Sequence, residues 1–177
     1  MLLALFIALL FAGIVFLGYV ATLPNDFRYE RSIVINASAE RIFTHINDFK
    51  AWKAWSPWEK MDDSMKKEYS EPSHGTGATY SWSGNGKVGE GKMTITSSDA
   101  PNEIKIDLQF IKPFEAMNQT TFRFTPEAGG TRVTWIMTGT NPFTMKIFAV
   151  LFSMEKALQK DFDRGLAALK EIAENAG

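Results

Sequence analysis

From Met1 to Leu23 the chain carries no charged residue and no Pro, Asn, Gln or His, and Leu, Ile, Phe and Val dominate it. Wound as a helix, this run extends about 34 Å at roughly 1.5 Å per residue, against a hydrocarbon core of about 30 Å. At a few tenths of a kcal/mol per apolar side chain, insertion is favoured by roughly 5 kcal/mol. Pro24-Asn25-Asp26 then ends the helix. The pattern predicts a transmembrane anchor over residues 1–23 and one globular domain over 24–177. A cleaved signal peptide is the rival reading. However, no Lys or Arg precedes the apolar run, the run outlasts an ordinary h-region, and Tyr19-Val20-Ala21-Thr22 lacks a small-x-small cleavage pattern. A core helix of the globular part is disfavoured by the absence of any polar face. Arg28, Arg31 and Arg41 follow the segment, so the positive-inside tendency puts the soluble domain in the cytoplasm.

Beyond the anchor the hydrophobic period changes. Phe27, Tyr29, Ile33 and Ile35 alternate with polar residues, with Arg31 interrupting their face, and predict a half-buried strand. Ser38 is placed to cap a short helix whose apolar positions are Ile42, Phe43, Ile46 and Phe49. An irregular aromatic segment from Lys50 to Lys60 contains Trp52, Trp55 and Trp58 around Pro57. Strands then follow at short intervals: Lys67–Glu71, Thr76–Ser83, Lys87–Ser97, Glu103–Lys112, Glu115–Thr125 and Thr131–Thr140. From Pro142 the spacing becomes helical through Met145, Phe148, Ala149 and Phe152, then Leu158, Phe162, Leu166, Leu169 and Ile172, with a break near Ser153. Consecutive strands joined by tight turns make an antiparallel sheet, and the C-terminal helix must cover its apolar face. The fold class is α+β.

Composition narrows the chemistry. A net charge of -1 without a basic block argues against nucleic acid as a partner. The absence of cysteine removes disulfides, thiol catalysis and the commonest zinc ligand. His45 and His74 are the two histidines, and neither has a Ser or Asp partner at a telling spacing. No metal or cofactor is expected. Gly84-Asn85-Gly86-Lys87-Val88-Gly89 formally matches a dinucleotide loop, but a strand follows where a helix is needed. It reads as a hairpin connection, with Asn85-Gly86 supplying positive φ. Glu90 and Asp107 are expected to face solvent, and the sequons at Asn36 and Asn118 fall in strand context.

Several segments together resemble one family. They are Arg31-Ser32-Ile33, Ala37-Ser38-Ala39-Glu40-Arg41-Ile42-Phe43, Asp48-Phe49 with Trp52, and Trp55-Ser56-Pro57-Trp58. Gly75-Thr76-Gly77-Ala78, Tyr80-Ser81-Trp82-Ser83-Gly84-Asn85 and Val88-Gly89-Glu90-Gly91-Lys92-Met93 continue the pattern, followed by Pro113-Phe114, Thr131-Arg132-Val133-Thr134-Trp135 and Asp161-Phe162-Asp163-Arg164-Gly165-Leu166. Over residues 27–172 the chain resembles the START-like (SRPBCC) superfamily, in its polyketide cyclase/dehydrase and lipid transport branch. The resemblance implies a helix-grip fold, a curved antiparallel sheet wrapped around a long C-terminal helix with an apolar cavity between them. It also implies a ligand such as a lipid, a sterol or an aromatic polyketide, and it carries no shared catalytic motif.

Trp55, Trp58, Tyr80, Trp82, Met93, Phe110, Trp135, Met137 and Phe162 are the candidate ligand-binding residues. Each alone reads as core. Together, this many Trp, Tyr and Met residues on strand faces and at the helix seam suit a cavity wall. The leading expectation is therefore a membrane-tethered protein holding a hydrophobic small molecule or lipid. The alternative is a cyclase, dehydratase or hydrolase acting on an aromatic or polyketide-like substrate in the same cavity. A third reading is an interaction protein whose core is filled by its own aromatics. Convergent ionisable groups in a pocket favour the enzyme, a purely apolar pocket favours carriage, and a filled core favours the third. Catalytic residues are not legible, nor is the oligomeric state.

Overall fold

The structure is a computed structural model and describes residues 1–175. Helix α1 (Leu2–Thr22) is long and apolar enough to cross a membrane, and apart from Val20 its side chains lie outside the protein core. Strand β1 (Asp26–Ile35) follows after an extended Leu23, and α2 (Ala39–Asn47) starts where the Ser38 hydroxyl accepts from Arg41 N at 3.3 Å. Two 3-10 turns, Phe49–Ala54 and Pro57–Lys60, carry the irregular aromatic segment. Six strands come next: β2 (Lys66–Tyr69), β3 (Thr79–Ser83), β4 (Glu90–Asp99), β5 (Glu103–Lys112), β6 (Ala116–Glu127) and β7 (Gly130–Thr140). Helices α3 (Phe143–Leu151) and α4 (Met154–Asn175) finish the chain.

All seven strands form one antiparallel sheet in the order β1-β7-β6-β5-β4-β3-β2, so only β1 makes a long crossover, to the edge beside β7. Strand periodicity puts Ile33, Ile35, Val133, Trp135, Phe122, Phe124, Ile104, Ile106, Ile95 and Met93 on one face. That face is buried under α2, the 3-10 turns and α4. The result is the α+β helix-grip architecture expected from the sequence.

Two contacts set how α4 lies on the sheet. The Phe162 ring stacks on Trp135, with centroids 4.3 Å apart and planes 6° from parallel. One turn later Gly165 brings the helix backbone against the same indole: a Cβ there would sit 2.9 Å from Trp135 Cζ3 and 3.1 Å from Pro57 Cδ. The aromatic segment is fixed just as locally. Indole N–H groups of Trp55 and Trp52 donate to the carbonyls of His45 (3.0 Å) and Ile46 (2.8 Å), and Gly75 N donates to Asn47 O at 3.2 Å. These carbonyls belong to the last turn of α2, which no intrahelical N–H can reach.

The expected break near Ser153 is present: Ser153 adopts φ 48° and separates α3 from α4. The 84–89 connection is a hairpin between β3 and β4, with no helix after it. Its positive φ lies at Gly89 (65°), whereas Asn85 and Gly86 stay at negative φ, which corrects the expected Asn-Gly turn. The loop is longer than two residues because Val88 N and Gly89 N both return to Asn85 O, a local helical turn. Replacing Phe162 with Ala is expected to cost about 3–5 kcal/mol, because it empties the stack under Trp135. Chemical denaturation of the full chain in detergent measures it.

Candidate functional site

Between the sheet, the 3-10 turns and helices α3 and α4 lies a cavity of about 560 Å³. Its inner wall is made by buried residues: Trp52, Tyr80, Met93, Leu108, Trp135 and Met137. Strand register explains why they converge. Tyr80 pairs with Met93, Met93 with Leu108, and Trp135 and Met137 are alternate positions of β7, so all project from the concave face. Trp82 lies over Gly91, where a Cβ would come within 2.5 Å of the indole ring, and its Nε1 donates to Val88 O at 3.0 Å. Phe110 meets the Trp82 ring edge-on at 6.1 Å.

Toward one end of the sheet the lining becomes exposed. Phe114, Glu115, Phe148, Phe152, Lys87 and Lys112 border the cavity there and mark its mouth. Phe114 and Phe148 face each other at 5.7 Å, and Phe148 stacks with Phe152 at 6.0 Å.

Of the nine candidate residues, seven line the cavity: Trp58, Tyr80, Trp82, Met93, Phe110, Trp135 and Met137. Trp55 and Phe162 do not. Both are fully buried behind Trp135, Trp55 edge-on to it at 5.5 Å and Phe162 stacked beneath it. They support the wall without forming it.

The polar group of greatest interest was not legible in the sequence. Glu59, in the second 3-10 turn, lines the cavity with a side chain only 4% exposed. Its Oε1 accepts from the Tyr80 hydroxyl at 2.7 Å, and its Oε2 pairs with Lys67 Nζ. Lys67 and Tyr80 come from β2 and β3, and Tyr69 stacks on Tyr80 at 5.0 Å. Burial, together with the hydrogen bond to Glu59 and its charge, raises the Tyr80 phenol far above its ordinary value of 10.0. Tyr69 is raised too, by burial first and then by Glu59. A carboxylate oxygen has more than one lone pair, so Glu59 can accept a further hydrogen bond.

A second polar spot lies near the end of β1. Tyr29, Asn118, Thr140 and Asn141 border the cavity, and burial raises the Tyr29 phenol. The Nε1 of Trp135, a wall residue, is buried and unpartnered among the described residues. Such an unmet donor costs about 1–3 kcal/mol.

Neither histidine borders the cavity. Burial and then Arg41 lower the His45 pKa, while the exposed His74 pairs by backbone with Asp48. Glu90, paired with Lys112 at 2.7 Å, and Asp107 both lie on the outer face of the sheet as expected, each half-buried there. Pairing across adjacent strands covers part of each side chain.

The sequence profile of the family described as polyketide cyclase / dehydrase and lipid transport matches residues 26–174. The chain belongs to this family. No curated protein matches it. Among solved structures, the di-domain ARO/CYC BexL from the BE-7585A biosynthetic pathway is similar at 15% identity and TM-score 0.64, covering 89% of this chain and 53% of that one. A Mesorhizobium loti protein is similar at 12% identity and TM-score 0.63, covering 85% and 99%. A Chromobacterium violaceum protein is similar at 17% identity and TM-score 0.57, covering 86% and 99%. At such identities these likenesses speak for the fold alone. Within this polyketide cyclase/dehydrase fold, the cavity between sheet and helices is the place where a ligand fits.

Because the folded phenol of Tyr80 is raised above its unfolded value, the folded state holds its proton longer. Stability from this site is complete below pH 10 and is lost as pH climbs past it. Tyr80→Phe is expected to flatten that alkaline loss and to remove one late component from an ultraviolet phenol titration. Denaturation midpoints measured across pH 8–12 test it.

Proposed function

We propose that the protein is a membrane-tethered carrier, with residues 1–23 as its anchor and residues 24–177 as a domain that holds a hydrophobic small molecule or lipid in the cavity. The observation that carries this reading is the cavity itself. Its volume of about 560 Å³ lies inside the range of ligand sites, about 300–1,000 Å³, and its wall is mainly aromatic and Met side chains. Trp58, Tyr80, Trp82, Met93, Phe110, Trp135 and Met137 would contact the ligand body, and Trp55 and Phe162 would hold Trp135 in place. The ligand of best fit is amphipathic: an apolar body with a hydroxyl that donates to Glu59. The cytoplasmic side is proposed for the domain on the strength of Arg28, Arg31 and Arg41.

A second reading, catalysis of the cyclase or dehydratase kind, is favoured by one observation. Glu59 is a buried carboxylate on an apolar cavity, with a phenol and an ammonium in contact, which is a layout for proton transfer. The similarity to an ARO/CYC protein agrees with this reading but brings no residue-level role.

Native mass spectrometry of the full chain extracted from membranes is expected to show a co-purifying apolar molecule, and Met137→Trp to displace it. A long-chain alcohol should bind better than its methyl ether. Glu59→Gln should reduce that preference about tenfold, since a hydrogen bond to a charged acceptor contributes about 1.5–3 kcal/mol. Absence of any ligand, with no binding of either probe, would sink the carrier reading. The anchor is tested by an alkaline carbonate wash, which should leave the full chain in the membrane pellet, and protease added to intact spheroplasts should leave the domain uncut.

A further inference from the structure

We propose that the outer face of α3, with the β5–β6 loop, docks into the lipid bilayer, so that the cavity opens at the membrane rather than into water. The inference rests on the reading of α1 as a membrane anchor.

The first observation is an exposed apolar surface that the globular core does not use. On α3 and just after it, Phe143, Phe148, Leu151 and Phe152 are exposed, the last two by 60% and 68%, and Phe114 is exposed beside Phe148. The ring contacts Phe114–Phe148 and Phe148–Phe152 join three of these residues into one apolar surface. Lys146, the one charged residue within α3, is buried. Large contiguous apolar surface of this kind marks a partner or a membrane.

The second observation chooses between those occupants. Strand β1 begins three residues after Leu23, the end of α1 is clamped to α3 by one side chain, and the link after α1 is bonded to the residue that follows β7. Lys146 Nζ donates to Leu23 O at 2.9 Å, and Asn141 N donates to Asn25 O at 2.7 Å. A helix of this length fills the hydrocarbon core, so its last residues lie at the headgroup boundary. The clamp then holds α3 at the same depth, where an interfacial helix buries its apolar face about 5–10 Å into the boundary. The buried ammonium sits against the carbonyl end of α1 and over the Phe143 ring at 5.8 Å, which orients α3 relative to the span.

The third observation ties the surface to the cavity. Phe114, Phe148 and Phe152 belong to the docking face and to the mouth alike. The pairs Asp26↔Thr140 and Asn118↔Gly139 put the α1 exit and the mouth at one end of the sheet. The β6–β7 turn at Ala128 lies at the other end, about 30 Å away at roughly 3.3 Å per residue. A ligand dissolved in the bilayer would therefore enter without crossing water.

The chain has no cysteine, so single labels are clean. The full chain is reconstituted in phosphatidylcholine vesicles with an environment-sensitive dye on Leu151→Cys or Phe152→Cys, and with Ala128→Cys for comparison. At positions 151 and 152 the expected result is blue-shifted emission, quenching by nitroxide-bearing lipid severalfold stronger than at 128, and protection from aqueous iodide. Iodide quenching at 151 and 152 equal to that at 128, in protein that still resists carbonate extraction, would overturn docking and leave the anchor standing. Emission that is blue-shifted yet reached by neither quencher would overturn it in favour of a second protein copy on the face. Release of the chain by carbonate would remove the anchor reading and the docking proposal together.

Discussion

The indole of Trp135 is the point on which the sheet, the C-terminal helix and the cavity all bear. It stacks on Phe162 from α4, receives Trp55 and Trp58 edge-on from the aromatic segment, and touches Phe122 from its neighbouring strand. Gly165 lets the helix approach until backbone and ring are in contact. A close seat at this one position has a geometric effect elsewhere. Where α4 is drawn tight on the sheet the interior is filled, and toward the α3 end, where no such stack exists, the interior stays open. The filled core and the cavity are thus two ends of one groove, and Trp135 stands at the boundary, buried yet lining the open end.

The open end is not uniformly apolar. Glu59 is held by two donors from separate strands, a phenol that stays neutral and an ammonium that neutralises its charge. Removing either leaves a buried carboxylate short of a partner, a situation that costs several kcal/mol in protein interiors. The trio adds polarity to an apolar wall at a defined place, and polarity at a defined place is what orients a ligand.

Much of this was legible from residue pattern. Strand β5 appears with both ends correct because Ile104, Ile106, Leu108 and Phe110 alternate without interruption. Strand β4 begins three residues later than expected, since Lys87, Val88 and Gly89 belong to the connection that Gly89 closes. Seven of nine candidate residues lie on the cavity because a shared strand face is a period-2 property. Trp55 and Phe162 lie behind it because periodicity gives the buried side of an element, not the depth of its neighbour. Glu59 had no local signal. It sits in a non-periodic turn, and its partners are 8 and 21 residues away, so only the folded register of β2 and β3 brings them together. The outer face of α3 was missed for another reason: its apolar spacing resembles that of a core helix, and the sequence does not say which apolar residues have a core to enter.

The two-residue link between Leu23 and β1 also limits how far the domain can travel. A long flexible leash would let a carrier lean across an aqueous gap and serve a second membrane. Here Pro24 and Asn25 span a few ångströms, and both ends of the link are hydrogen-bonded down. With α1 embedded, the domain can turn with its anchor and drift in the plane, but it cannot reach out. On the proposed carrier reading, any exchange of cargo would then be lateral, with neighbours in the same bilayer.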